Sequence, residues 1–148
     1  MSFLNFDTYT KIDGKAFRDT KPFPYINPKG ALTEEGFRVL KENFPPLELF
    51  IKTVGMERAY GQKSHDRYEL KYVEGVELPS VWQDFVHEIF GERYQKEMAR
   101  ILGTKDFATR VQWQAAYSGC SVSPHCDSVN KLGSQIFYFN TSDDWDSS

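Results

Sequence analysis

Three histidines occur in the chain, and one of them has a carboxylate two residues away, in the run Ser123-Pro124-His125-Cys126-Asp127. On an extended strand alternate side chains share one face, so His125 and Asp127 point the same way and Cys126 points the other. An imidazole nitrogen and a carboxylate oxygen on one face can bind one metal ion. Two histidines and one carboxylate form the facial triad of non-heme iron sites. The alternative is a structural pair, in which a histidine at a strand end hydrogen-bonds to the aspartate of a turn.

The residues around this pair extend the pattern. Between Tyr117 and Asp146 the chain contains, in order, Tyr-x-Gly, the His-x-Asp pair, an aromatic strand that ends Tyr-Phe-Asn, and Asp-Trp-Asp. This stretch resembles the iron(II)- and 2-oxoglutarate-dependent dioxygenases of the prolyl-hydroxylase-like group, and it covers about thirty of the 148 residues. The resemblance implies an enzyme that hydroxylates an unreactive C–H bond while 2-oxoglutarate is decarboxylated to succinate.

The resemblance also implies roles for individual residues. His125 and Asp127 correspond to ligands of iron(II), and Tyr138 and Tyr117 correspond to tyrosines that contact the co-substrate 2-oxoglutarate. A phenol is a good hydrogen-bond donor to a carboxylate in a pocket lined by aromatic side chains. Ordinary core positions are the alternative for both tyrosines. Lys131 follows the metal pair closely enough to bind a carboxylate, although a loop lysine is more often solvated.

The third metal ligand is not in the position that the resemblance implies, because no histidine follows Asp127 in this chain. Three explanations remain open. The chain is the N-terminal portion of a longer oxygenase whose remaining strands carry the second histidine and a basic residue for 2-oxoglutarate. Alternatively, His65 or His87 supplies the ligand from upstream. In the third explanation the protein is a catalytically incomplete β-domain that acts as a binding module.

Three helices are predicted ahead of the metal pair. The first begins after Thr33, which can cap it, and ends before Pro45-Pro46, with apolar residues at helical spacing at Phe37, Leu40 and Phe44. The second begins at an S-x-x-Q capping box that starts at Ser80 and ends at Gly91, with one apolar face formed by Trp82, Phe85, Val86, Ile89 and Phe90. The third spans Glu92–Leu102, and Gly103 is its C-cap.

Strands are predicted on both sides of these helices. Between Arg58 and Val73 apolar residues alternate with polar ones, which predicts either a pair of strands or one long ribbon, with a loop at Gly61–Asp66. The alternating apolar residues are Tyr60, Tyr68, Leu70 and Tyr72. Thr109–Tyr117 and Ser134–Asn140 are rich in strand-forming residues. The first thirty residues mix aromatic and turn residues and predict an irregular arm with one short strand. The fold class predicted is α+β, a single domain forming a partial double-stranded β-helix, or jelly roll, with N-terminal supporting helices.

Composition narrows the range of partners. The net charge is −3 and the basic residues are scattered, which argues against a nucleic-acid module. No apolar run approaches the roughly 20 residues that span a bilayer, and the N-terminus lacks the pattern of a signal peptide. We therefore expect a cytoplasmic protein that acts on a small molecule or a peptide. Its two cysteines, Cys120 and Cys126, are expected to be free thiols.

Overall fold

A computed structural model describes residues 1–57, 65–123, 125 and 127–141. Tyr60, Cys126, the Asp-Trp-Asp run and most of the Gly61–Asp66 loop lie outside the described residues. The chain divides into two compact units. The first comprises Met1–Phe44, Leu78–Thr109 and Leu132–Gln135, and the second comprises Pro45–Glu77, Arg110–Lys131 and Ile136–Ser148.

The first unit is helical. The described residues contain five α-helices, all in this unit: α1 Phe6–Thr10, α2 Gly14–Asp19, α3 Glu34–Glu42, α4 Ser80–Phe90 and α5 Glu92–Leu102. Helix α5 contacts both α2 and α4, and α3 contacts α4. The core of this unit is aromatic, with Phe3, Phe85 and Trp82 all less than 4% exposed.

The prediction of an irregular N-terminal arm was wrong. This segment forms α1 and α2, and its strand content in the structure is a single antiparallel bridge between Leu4 and Leu32. Helix α2 forms because the Asp13 carboxylate accepts hydrogen bonds from the backbone N–H groups of Lys15 and Ala16, which have no partner within the helix. The buried Tyr9 anchors α1 in the core.

The predicted helices α3, α4 and α5 are confirmed, with one correction at the start of α4. Thr33 caps α3 through its hydroxyl, which accepts from the Gly36 N–H at 3.0 Å. The capping box predicted at Ser80 is absent, since Ser80 is already helical and Pro79 occupies the cap position. The Gln83 side chain instead donates to the carbonyl of Leu78 at 2.8 Å.

Two glycines allow the helices to end and to approach each other. Gly103 follows α5 with φ +74°, a left-handed conformation that glycine adopts without a steric penalty. Gly14 lies where α2 meets α5, and a Cβ there would lie 2.7 Å from the Arg100 carbonyl oxygen. Arg100 in turn donates to the carbonyls of Tyr9 and Ile12 at 2.8 and 2.7 Å. The side chain of Arg100 on α5 thus holds the N-terminal helical segment through the backbone carbonyls of that segment.

The second unit contains a three-stranded antiparallel sheet in the order β1 Ile51–Lys52, β2 Tyr68–Lys71 and β3 Gln112–Ala115. A short 3₁₀ helix, Leu47–Leu49, precedes β1. Leu70 of β2 pairs with Trp113 of β3, and both side chains are buried. Strand β2 confirms the end of the predicted Arg58–Val73 segment, and β3 confirms the centre of Thr109–Tyr117. Strand β1 was not predicted, and residues 58–64 lie outside the described residues.

The strand predicted at Ser134–Asn140 does not form. No strand or bridge is assigned to these residues, although their side chains favour β-structure. Gln135, at the start of this segment, is held by two side chains of the first unit: it accepts from the Tyr94 hydroxyl at 2.7 Å and donates to the Tyr9 hydroxyl at 2.6 Å. Burial raises the pKa of Tyr9 to about 12, so this hydroxyl remains neutral. The jelly roll stays a prediction.

Strand β2 carries a buried carboxylate whose removal should destabilise the second unit. Glu69 is 8% exposed; Arg67 donates to it at 2.6 Å, and Lys71 lies 3.1 Å away. Burial opposes ionisation of Glu69, but these two cations outweigh it and hold the pKa of the carboxyl below its usual range. We expect Glu69→Gln to lower the free energy of unfolding by about 1–3 kcal/mol at pH 7.

The effect of Glu69→Gln should depend on pH. Because the folded-state pKa is lowered, the stabilisation is complete above the pKa of an unfolded glutamate, about 4.3, and disappears as the pH falls through the folded-state value. Urea denaturation at pH 7 and at pH 3 measures this difference. An equal difference between the two proteins at both pH values would contradict the assignment.

Within the residues that the structure describes, no helix is both long enough and apolar enough to cross a membrane.

Candidate metal centre

The structure places His125 and Asp127 near each other, although neither residue lies on an assigned strand as the spacing predicted. The Nε2 atom of His125 lies 4.0 Å from Oδ1 of Asp127. The two side chains are partly exposed, at 38% and 53%, so both remain accessible to an ion from solvent. Two donors of one octahedral ion at about 2.1 Å each lie roughly 3 Å apart when they are adjacent. A rotation that shortens the distance by about 1 Å is therefore sufficient.

A backbone carbonyl selects the tautomer of the neutral His125 ring. Its Nδ1 lies 2.8 Å from the carbonyl oxygen of Ser123, which can only accept a hydrogen bond. Nδ1 therefore carries the proton and donates it, and in the neutral ring Nε2 keeps its lone pair. Histidine ligands of metals commonly donate their other ring N–H to a backbone carbonyl in this way. The lone pair is on the nitrogen that is 4.0 Å from the Asp127 carboxylate.

The Asp127 carboxylate is ionised and its two oxygens have different neighbours. Lys131 donates to Oδ2 at 2.9 Å, whereas Oδ1 is the oxygen nearest His125. The Lys131 hydrogen bond, with the positive charge of Lys131 and that of His125 when it is protonated, holds the pKa of the Asp127 carboxyl below its usual range. Lys131 thus has a structural partner. The described contacts support this role for Lys131 and do not link it to a co-substrate.

His65 lies next to His125. The sequence indicated His65 only as one of two upstream candidates for a ligand, together with His87. The ring centroids of His65 and His125 are 4.2 Å apart, with 44° between their planes. An isolated antiparallel bridge between His65 and Val122 brings the two segments together beyond the paired part of β2 and β3. His87 is different: it lies on α4 in the first unit and is exposed.

The segment that carries His65 is held by hydrogen bonds on both sides. The backbone N–H of Asp66 donates to the carbonyl of Ser121 at 2.9 Å. The Asp66 carboxylate accepts from the Gly55 N–H at 2.7 Å and from the Ser121 hydroxyl at 3.3 Å. On the other side, Thr53 donates its hydroxyl to the carbonyl of His65 at 3.1 Å. The position of His65 beside the 121–125 segment is therefore fixed by the backbone.

The two predicted co-substrate tyrosines are in the second unit but are not enclosed. Tyr117 is 55% exposed, and its ring meets that of Tyr68 edge to face at 5.3 Å. Tyr138 is 68% exposed. Clefts of about 420 and 580 Å³ lie in the first unit, and neither is lined by a predicted site residue. Both tyrosines are therefore exposed, and neither lines either of these two clefts.

The donor set fits iron(II) in part. An imidazole nitrogen and a carboxylate oxygen are suitable ligands for this ion, and His125 and Asp127 supply one of each. Among the residues that the structure describes, however, no three His, Cys, Asp or Glu side chains converge as a group that could hold a metal ion.

Comparisons with protein-family models, with curated proteins and with solved structures found no match to this chain.

Proposed function

We propose that the chain binds iron(II) through His125 and Asp127 and is part of an iron(II)- and 2-oxoglutarate-dependent oxygenase. One observation supports this proposal most directly: the Nε2 atom of His125 lies 4.0 Å from a carboxylate oxygen of Asp127, and both side chains are partly exposed to solvent. The motifs between Tyr117 and Asp146, and the order in which they follow one another along the sequence, support the choice of this enzyme class. The proposal includes the double-stranded β-helix that the resemblance implies.

The chemistry is the oxidation of a C–H bond coupled to oxidation of the co-substrate. With iron(II) and 2-oxoglutarate bound, the substrate R–H, O₂ and 2-oxoglutarate give R–OH, succinate and CO₂, so one oxygen atom enters each oxidised product. The protein holds the ion: His125 presents its nitrogen because Ser123 fixes the tautomer, and Asp127 supplies a negative charge that Lys131 keeps ionised. The hydroxyls of Tyr138 and Tyr117 are proposed to donate to the 2-oxoglutarate carboxylates.

The remaining features of the proposal concern substrate and location. We propose a small molecule or a peptide as the hydroxylated substrate, and a cytoplasmic protein. The scattered distribution of basic residues, with a net charge of −3, supports a substrate other than a nucleic acid.

Calorimetry and product analysis test the proposal together. Manganese(II), a redox-quiet substitute for iron(II), should bind the chain, and 2-oxoglutarate should bind only after manganese has been added. With iron(II), O₂ and 2-oxoglutarate, succinate should form, and replacing iron by manganese should abolish it. Absence of both metal binding and succinate would contradict the proposal.

A binding module is the second candidate function, and exposed apolar side chains favour it. Val129, Ile136 and Tyr138 of the second unit are 99%, 66% and 68% exposed. Interaction sites commonly expose apolar side chains of this kind. In this case His125 and Asp127 are only structural, and calorimetry should detect no heat from either manganese or 2-oxoglutarate.

A further inference from the structure

We infer that the first unit carries a separate binding site, a cleft that takes an acidic peptide segment of a partner protein. The cleft lies between α1 and α2 on one side and residues 25–29 on the other, and its volume is about 580 Å³. Clefts that bind ligands usually have volumes of about 300–1,000 Å³. None of the residues that line it is assigned to the metal or to 2-oxoglutarate, so the inference does not depend on the proposed function.

The wall that follows α2 exposes apolar side chains. Residues 21–27 are all exposed, and Phe23, Tyr25 and Ile26 are 63%, 60% and 47% exposed. The ring centroids of Phe23 and Tyr25 are 5.9 Å apart. Tyr25 and Ile26 line the cleft together with the half-buried Phe17 of α2. Apolar side chains exposed along a concave surface are typical of a site that binds an apolar group.

Hydrogen bonds hold both ends of this exposed wall. At one end the Thr20 hydroxyl donates to the carbonyl of Ala16 at 2.9 Å. At the other end the Thr8 hydroxyl donates to the carbonyl of Gly30 at 2.8 Å. Because Thr8 lies on α1 and Ala16 on α2, the wall is fastened to both helices that form the opposite side of the cleft. A cleft whose two sides are held in this way loses less conformational freedom when it binds a ligand.

Charge indicates the chemistry of the partner. Lys11 and Lys29 line the cleft and are exposed, and among the residues that the structure describes neither forms an ion pair. The nearby carboxylates are engaged elsewhere. Asp13 accepts hydrogen bonds from two backbone N–H groups at the start of α2, and Asp19 pairs with Lys15 at 2.6 Å. Two ammonium groups without carboxylate partners favour an anionic ligand.

Asp13 also lines the cleft and limits the orientation of the ligand. The backbone N–H groups of Ala16 and Lys15, with the positive charges of nearby side chains, hold the pKa of its carboxyl below the usual range. Asp13 is therefore negative at neutral pH and repels a second carboxylate. A bound acidic peptide directs its carboxylates to Lys11 and Lys29, and its apolar side chain contacts the exposed wall.

An extended peptide fits this surface better than a small molecule or a membrane does. Phe23 is not part of the cleft lining, but it contacts Tyr25, so the apolar surface continues beyond the cleft. A compact ligand would leave this part uncovered. A membrane presents a flat surface, whereas Lys11 and Lys29 line a concave one.

Fluorescence anisotropy of the chain with three labelled peptides tests the inference. The first peptide consists of glutamate, leucine and phenylalanine; the second has glutamine in place of glutamate; the third has serine in place of leucine and phenylalanine. The first should bind with a dissociation constant below about 1 mM. The other two should bind at least about 5-fold more weakly, because each lacks one of the two interactions. Absence of saturable binding of the first peptide, or equal binding of all three, would overturn the inference.

Variants of the cleft test its charges separately. Lys11→Gln and Lys29→Gln should each weaken binding of the first peptide by about 2–5-fold. Asp13→Asn should strengthen it by about 2-fold, since asparagine caps a helix as well as aspartate does and removes the repelling charge. Lys105→Gln, at an exposed position of the same unit outside the cleft, is the matched control and should have no effect. Equal weakening by Lys105→Gln and by the cleft variants would refute the cleft as the site.

Two further measurements test the location of the site and the class of the partner. In ¹⁵N spectra of the chain, the first peptide should shift backbone signals of residues 8–30, and shifts confined to the second unit would overturn the inference. Vesicles of phosphatidylcholine and phosphatidylserine should leave the chain in the supernatant after centrifugation. Sedimentation of the chain with these vesicles, without binding of the first peptide, would show that the surface binds a membrane instead.

Discussion

Asp127→Asn is expected to weaken manganese(II) binding at least about 100-fold and to abolish iron-dependent succinate formation. The substitution preserves the shape of the side chain but removes the only negative charge assigned to the ion. Mutation of groups that merely orient a metal ligand already lowers affinity about 10- to 100-fold, so loss of a charged ligand should cost at least the upper part of that range. Calorimetry measures the affinity, and chromatography of the products measures succinate.

A matched control for Asp127→Asn is available on α4. Asp84 is an exposed aspartate in the first unit, and Asp84→Asn changes the net charge of the chain by the same amount. It should leave manganese affinity unchanged, which separates loss of a ligand from a general change of charge. Equal affinities for Asp127→Asn and the unsubstituted chain would mean that Asp127 has a structural role only, and the oxygenase proposal would fail.

Trp82→Ala should cause a large loss of stability. Trp82 is 2% exposed, and its ring meets those of Phe44 and Phe85 edge to face at 6.0 and 5.5 Å. Truncating a buried tryptophan removes its burial and leaves a cavity, which costs about 3–5 kcal/mol. The free energy of unfolding of a domain is typically about 5–15 kcal/mol, so this variant loses a large part of it. Thermal unfolding followed by circular dichroism measures the change.

Phe90→Ala is the control for the Trp82 prediction, because it removes an aromatic ring from the same helix. Phe90 is 42% exposed, although the sequence placed it on the apolar face. Its truncation should cost less than about 1 kcal/mol, because most surface substitutions have small effects. If the two variants unfolded at the same temperature, the buried aromatic cluster around Trp82 would not be the source of stability.

The amino-acid sequence by itself determined those elements whose signals lie within a few residues of one another. The Thr33 cap, the Gly103 C-cap and the apolar faces of the helices depend on residues within a few positions of one another, and the structure agrees with them. His125 and Asp127 are also close in the chain, but the strand on which their side chains were predicted to alternate is not assigned. The period of side chains along the backbone is sufficient to predict the apolar faces of the helices.

Only the tertiary structure decided which distant segments meet. Ser134–Asn140 has no assigned strand, and the strand propensity of a segment carries no information about which distant backbone the segment will meet. The helices of the N-terminal segment depend on contacts such as Arg100 with Tyr9, which are 91 positions apart. The approach of His65 to His125 likewise depends on the bridge to Val122. Propensity and periodicity describe one segment at a time, whereas a site built from two segments exists only after their backbones have paired.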